Sequence, residues 1–234
     1  MNRRKYKYLD DQIFKDDAFQ ALSSQFQNKE QFEEFYASLK DDKTKDEFLR
    51  IGTSYLFFVK CGDWHVNVER SNPVIEYFTN SFKLVSLLAV AESVESKKHI
   101  DFFAWLNKKE NSTLFPIENQ ENLEEHYKVY KQNYGSIYSV KEFFGNLSQK
   151  TKDNLCKRVA INDKPVEDIE ELIKLIYNVR SGFAHSVDHN LELGTSFHFG
   201  GTKNKRIVWR QFKIEYLQEA LEEGIVIYFK KKKK

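Results

Sequence analysis

A mainly α fold is predicted by three observations. Only nine Gly and three Pro punctuate 234 residues, whereas sandwiches and barrels place a turn residue every 8 to 12 positions or so. Apolar residues recur at three-to-four spacing through most of the chain. The supply of 20 Phe, 12 Tyr and 3 Trp, within 41% apolar residues, is enough to fill a helical core, so disorder is disfavoured despite 31% charged residues.

Residues 10 to 50 place Phe14, Ala18, Phe19 and Leu22, then Phe32, Phe35, Tyr36 and Leu39, on helical faces among charges. Two amphipathic helices follow from that spacing. The apolar run Tyr55 to Val59, a Gly62-Asp63 turn and the alternation of Trp64, Val66 and Val68 predict a small β-hairpin. These elements make an N-terminal module over residues 1–70.

Ser71-Asn72-Pro73 joins an N-cap residue type to a proline suited to the first helical position. It opens a helix running to about Ser96 whose apolar residues, including Phe82, Leu84, Leu87, Leu88 and Val94, cover more than one face. Such a helix belongs at the centre of a bundle. Lys83 and Glu92 interrupt it, so it is too short in apolar residues to be a membrane span. A short helix is expected over 97–108, a loop around Pro116, and helices over 120–133 and 136–158, the second broken near Leu147-Ser148. Asp163, Pro165, Glu167 and Asp168 read as a further helix start, leading into the apolar stripe Val166, Ile169, Leu172, Ile173 and Ile176. Residues 186–206 read as a loop or irregular hairpin, Gln211–Phe229 as a last helix, and Lys230–Lys234 as a disordered charge run.

The net charge of +2 excludes a protein that binds nucleic acid through an overall basic excess; any such contact must be local. Cys61 and Cys156 form no CxxC, and Arg3-Arg4-Lys5 leads into charged residues, not a signal peptide. A reducing cytoplasm is the expected compartment, with no membrane association.

The stretch that carries chemistry is Tyr177-Asn178-Val179-Arg180-Ser181-Gly182-Phe183-Ala184-His185. Arg presents a planar fork of donors that matches phosphate oxygens, and His exchanges a proton near neutral pH. On a regular helix, residues five apart diverge by about 140°. Convergence on one cleft would need a turn or kink after Ser181, where Gly182 permits one. On spacing alone, Arg180 could equally cap the helix and His185 could be an ordinary loop residue.

The pattern Tyr177-x-x-Arg180-Ser181-x-x-x-His185 resembles the signature of HEPN domains, particularly their Apea-like branch, with Ser186 standing where the pattern commonly has Gly. The upstream apolar helix ending in Ala89-Val90-Ala91-Glu92-Ser93-Val94 is similar to a second element of that family. The resemblance covers residues 71–229 and implies a helical bundle that forms a homodimer, with two motifs facing one cleft. It further implies a metal-independent endoribonuclease of toxin or antiviral-defence systems, with RNA as substrate, an antitoxin or defence complex as partner, and no cofactor. Arg180 would contact the scissile phosphate and His185 would transfer a proton. Ser181 would orient one of them, and Glu92 would be a nearby acidic partner. Ser181 is a departure from the most active members, which often carry Asn, His or Asp there. The alternative is a non-catalytic dimeric scaffold that binds a partner protein, RNA or nucleotide.

Lys203, Lys205, Arg206 and Arg210, with Lys213, form a local basic cluster that could guide an RNA backbone. His185, Asp188 and His189 are a sparse metal-ligand set, and no metal site is expected from them. Gly200-Gly201-Thr202-Lys203 lacks the spacing of a phosphate loop.

Overall fold

The computed structural model describes residues 6–9, 11–63, 72–95, 100–108, 110–111, 120–186, 197–202 and 205–233. It is mainly α. Helices α1 (Gln12–Leu22), α2 (Lys29–Ala37) and α3 (Asp42–Tyr55) begin at Asp11, Asn28 and Asp41, whose side chains each accept a hydrogen bond from a first-turn N–H. Three helices therefore stand where two were expected. The third is set off by the Asp41 cap and buries Phe48, Leu49, Ile51 and Tyr55. It lies so close to α1 that a Cβ on Gly52 would come within 2.8 Å of the Ala18 Cβ.

The strand expected from Tyr55 is absent. Tyr55 ends α3, and Leu56–Lys60 continues it as a π-helical turn. Tyr55, Leu56 and Val59 are buried while Phe57 and Phe58 are exposed, a helical burial pattern that a strand could not produce. The second half of the expected hairpin, Trp64 to Val68, lies outside the described residues.

Helix α4 (Asn72–Glu95) takes the central place expected of it, against α3, the π-helical turn, α7, α9 and α10. Helices α5 (Phe102–Leu106), α6 (Gln120–Tyr134), α7 (Ser136–Gly145) and α8 (Gln149–Cys156) follow, the break between the last two being Ser148, which caps α8. Strands β1 (Val159–Ile161) and β2 (Lys164–Pro165) then form a tight hairpin. Its two turn residues, Asn162 and Asp163, have φ of 49° and 68°, as a two-residue hairpin turn demands. Asp163 and Pro165 thus belong to a hairpin and not to a helix start. Helix α9 (Ile169–Ser186) begins at Asp168, whose carboxylate accepts the Glu170 N–H at 2.9 Å.

Strands β3 (Phe197–Thr202) and β4 (Lys205–Arg210) complete an antiparallel sheet of order β2-β1-β4-β3, and α10 (Ile214–Lys230) closes the fold. One apolar cluster runs from Ala18 and Phe48 through Leu87 and Ile173 to Leu221 and Phe229, so the core is continuous across residue 70. The terminal lysines are not a loose run. The Lys40 N–H donates to the Lys232 carbonyl at 3.1 Å, Leu39 pairs with Lys233, and Lys232 Nζ reaches Glu47 Oε2 at 3.1 Å. Backbone pairing and an ion pair hold the segment down; Lys234 lies outside the described residues.

Candidate functional site

The motif occupies the last two turns of α9. Ile169, Leu172, Ile173 and Ile176 are the buried stripe of this helix, and Arg180, one turn beyond Ile176, continues it. The guanidinium is accordingly half-buried at the edge of the core. The helix does not turn at Gly182 but continues to Ser186. Phe183, buried, meets Phe82 of α4 edge-on at 5.1 Å between ring centroids and ties this last turn to the bundle. With no kink, Arg180 and His185 remain about 140° apart around the helix. His185 is exposed and Ser181 is half-buried.

Arg180 lies near enough to Glu92 for its charge to act on that carboxyl. Burial raises the Glu92 carboxyl above its ordinary value of 4.5, opposed by the nearby Arg180 charge and by a hydrogen bond from the Tyr177 hydroxyl. Burial and the Glu92 charge likewise raise the Tyr177 hydroxyl, opposed by a hydrogen bond with Ser136 and by Arg180. The Arg180 Cζ lies 5.3 Å from the centre of the Tyr177 ring. Arg180 Nε and Glu92 Oε1 are buried with no hydrogen-bond partner. Groups from three helices thus surround Arg180: Glu92 of α4, Tyr177 of α9 and, on the Tyr177 hydroxyl, Ser136 of α7. The sequence reading has Tyr177 as the first residue of the motif but assigns it no part in the chemistry, although its i, i+3 relation to Arg180 places both on one helix face. Nothing local marks Ser136.

The direction of the Glu92 shift has a testable consequence. A carboxyl raised in the folded state favours folding below its ordinary value, and that contribution is lost as pH rises through the raised value. The melting temperature of Glu92→Gln relative to wild type should therefore rise between about pH 4.5 and pH 7. Parallel melting curves across that range would remove burial as the dominant influence on Glu92.

Of the basic cluster, Lys205 and Arg206 are exposed on β4, Arg210 is half-buried at its end, and Lys203 lies outside the described residues. Arg206 Nη1 is 3.6 Å from Asp163 Oδ1 at the surface. A polar groove of about 1000 Å³, lined by Ser24, Gln149, Thr151, Lys157, Tyr216 and Glu223 among others, includes no motif residue.

Among the described residues no three His, Cys, Asp or Glu side chains gather as metal ligands would. Asp188 and His189 are outside those residues. No helix among the described residues is long and apolar enough to cross a membrane. No family model, curated protein or solved structure matches the chain.

Proposed function

We propose that the chain is a metal-independent endoribonuclease of HEPN type, acting in a toxin or antiviral-defence system. The observation that carries this reading is the pairing of a half-buried guanidinium with an accessible imidazole on the last turns of one helix. Arg180 lies by the Tyr177 ring and within reach of the Glu92 charge, while His185 stands exposed. In RNA cleavage, His185 takes the proton of the 2′-hydroxyl, whose oxygen attacks phosphorus, or returns a proton to the departing 5′ oxygen. Arg180 stabilises the charge that gathers on the phosphoryl oxygens. The products are a cyclic phosphate and a 5′-hydroxyl.

One helix directs its Arg and His to different sides, so a single copy supplies each phosphate with only part of this machinery. A second copy across a twofold axis supplies the complement. The reading therefore includes a homodimer, about twice 27.8 kDa by light scattering. Lys205, Arg206 and Arg210, with Lys203, would hold the RNA backbone outside the cleavage site.

The non-catalytic scaffold rests on a different observation: Arg180 is half-buried within its own fold, close to the Tyr177 ring and the Glu92 charge. Labelled RNA incubated with the purified protein in EDTA separates the two. The enzyme reading requires fragments with 5′-hydroxyl ends, and RNA that stays intact would replace it with the scaffold.

A further inference from the structure

Charge is segregated along this chain in a way its totals conceal. Residues 157–165, from the end of α8 through the β1–β2 hairpin, hold Lys157, Arg158 and Lys164. Residues 205–213 hold Lys205, Arg206, Arg210 and Lys213. Asp163 is the one acidic residue in either segment, and against totals of 37 basic and 35 acidic residues the remainder of the chain is net acidic. Pairing of β1 with β4 brings the two segments together, with Val159 opposite Trp209 and the Arg210 N–H donating to the Arg158 carbonyl at 2.7 Å. From this we infer that the end of the sheet where α8 enters β1 and β4 leads into α10 is a binding patch for RNA, in which Lys157 and Arg158 act together with Arg210 and Lys213. The inference rests on the RNA reading above and extends its contact surface to a segment some fifty residues away in sequence.

Three features favour RNA. Cations on a sheet often serve to protect its edges, but β4 lies inside the order β2-β1-β4-β3, so edge protection does not account for Arg206 and Arg210. Those two share a strand face, opposite the one on which Trp209 enters the core. Arg158 is stacked on Tyr216, its Cζ 3.4 Å from the ring centre. A guanidinium fixed in this way loses little freedom on meeting a phosphate. A bilayer-binding face would mix its cations with exposed apolar groups. The exposed large apolar side chains among the described residues, such as Phe57, Phe58, Phe103 and Tyr127, lie outside both segments.

The test is binding, measured on the His185→Ala protein so that the probe survives, by fluorescence anisotropy with a labelled single-stranded RNA of about twenty nucleotides. Neutralising Lys157 and Lys213 together to Gln, both exposed and outside the motif, should weaken binding about tenfold at moderate salt. It should also reduce the slope of log affinity against log salt by about 1.4, the value for two lost phosphate contacts on a single strand. The matched pair Lys43→Gln and Lys128→Gln, exposed on α3 and α6, should change affinity less than about twofold. Equal losses from both pairs, no loss from either, or binding to phosphatidylserine vesicles in place of RNA would each overturn the inference. Cleavage by the wild type is scored separately. RNA that is bound through this patch but never cut defeats only the nuclease, and RNA that is cut with Lys157 and Lys213 irrelevant defeats only the binding patch.

Discussion

His185→Ala is expected to lower RNA cleavage by about 10²- to 10⁴-fold, the contribution of a positioned proton-transfer group, while leaving thermal unfolding almost untouched. His185 is exposed on the last turn of α9, and substitutions at such positions shift stability by no more than about 0.5 kcal/mol. Loss of cleavage with an unchanged melt is thus a chemical and not a structural result. Equal cleavage by mutant and wild type would end the assignment of His185. Arg180 differs, because its guanidinium is half-buried beside Glu92. Arg180→Ala should abolish cleavage and also destabilise the fold, since it leaves the Glu92 carboxyl without its cation. The two variants together test the dimer. If each site takes Arg180 from one subunit and His185 from the other, mixing the two inactive proteins forms heterodimers with one intact site. About a quarter of wild-type activity should then return. A mixture as inactive as its parents would place both residues of a site in one chain.

The parts of this fold that were legible in the sequence are those where one signal suffices. Asn72-Pro73 opens α4, and Ile169, Leu172, Ile173 and Ile176 form a stripe that only a helix places on one face. The run Tyr55–Val59 was misread because five consecutive apolar residues have no period. Its helical state is decided by partners far along the chain, above all Glu222 on the Tyr55 hydroxyl. Asp163 was misread because the same residue type serves a helix cap and a tight turn, and β pairing to residues some 45 positions away selects the turn. The site divides in the same way. The divergence of Arg180 from His185 follows from arithmetic on one helix, and the structure keeps it. The approach of Glu92 to Arg180 depends on how α4 crosses α9, and the approach of Arg158 to Arg210 on strand pairing, neither of which has a local signature.

The largest stability effect is expected at Glu222, which no sequence pattern singled out. It lies on α10 with its side chain 5% exposed, an acidic group inside an apolar cluster. Such a charge is tolerated only when its oxygens are satisfied. Here they are: Glu222 Oε1 accepts from the Tyr55 hydroxyl at 2.6 Å and meets Lys60 Nζ at 3.0 Å, and Oε2 accepts from Ser24. Lys60 Nζ also donates to the Ala21 carbonyl at 2.7 Å, at the end of α1. One carboxylate therefore joins α1, α3, the π-helical turn and α10, and it explains why the chain after Tyr55 stays helical long enough to bring Lys60 to this point. Burial, reinforced by Glu222, pushes the Tyr55 hydroxyl far above its ordinary range, so it remains a donor at all physiological pH. Glu222→Ala removes the shared acceptor, leaving the Lys60 charge without a counter-charge and the buried Tyr55 hydroxyl without an acceptor, which should cost about 3 to 5 kcal/mol in denaturant unfolding. Glu222→Gln keeps the shape and an acceptor for Tyr55 but not the charge, and should cost less. Tyr55→Phe, which leaves Lys60 and Ser24 on the carboxylate, should cost only about 1 kcal/mol. If Glu222→Ala were no worse than Tyr55→Phe, the carboxylate would not be what joins these elements, and other contacts, such as Phe48 with Phe229 and Lys232 with Glu47, would hold the N-terminal helices on α10.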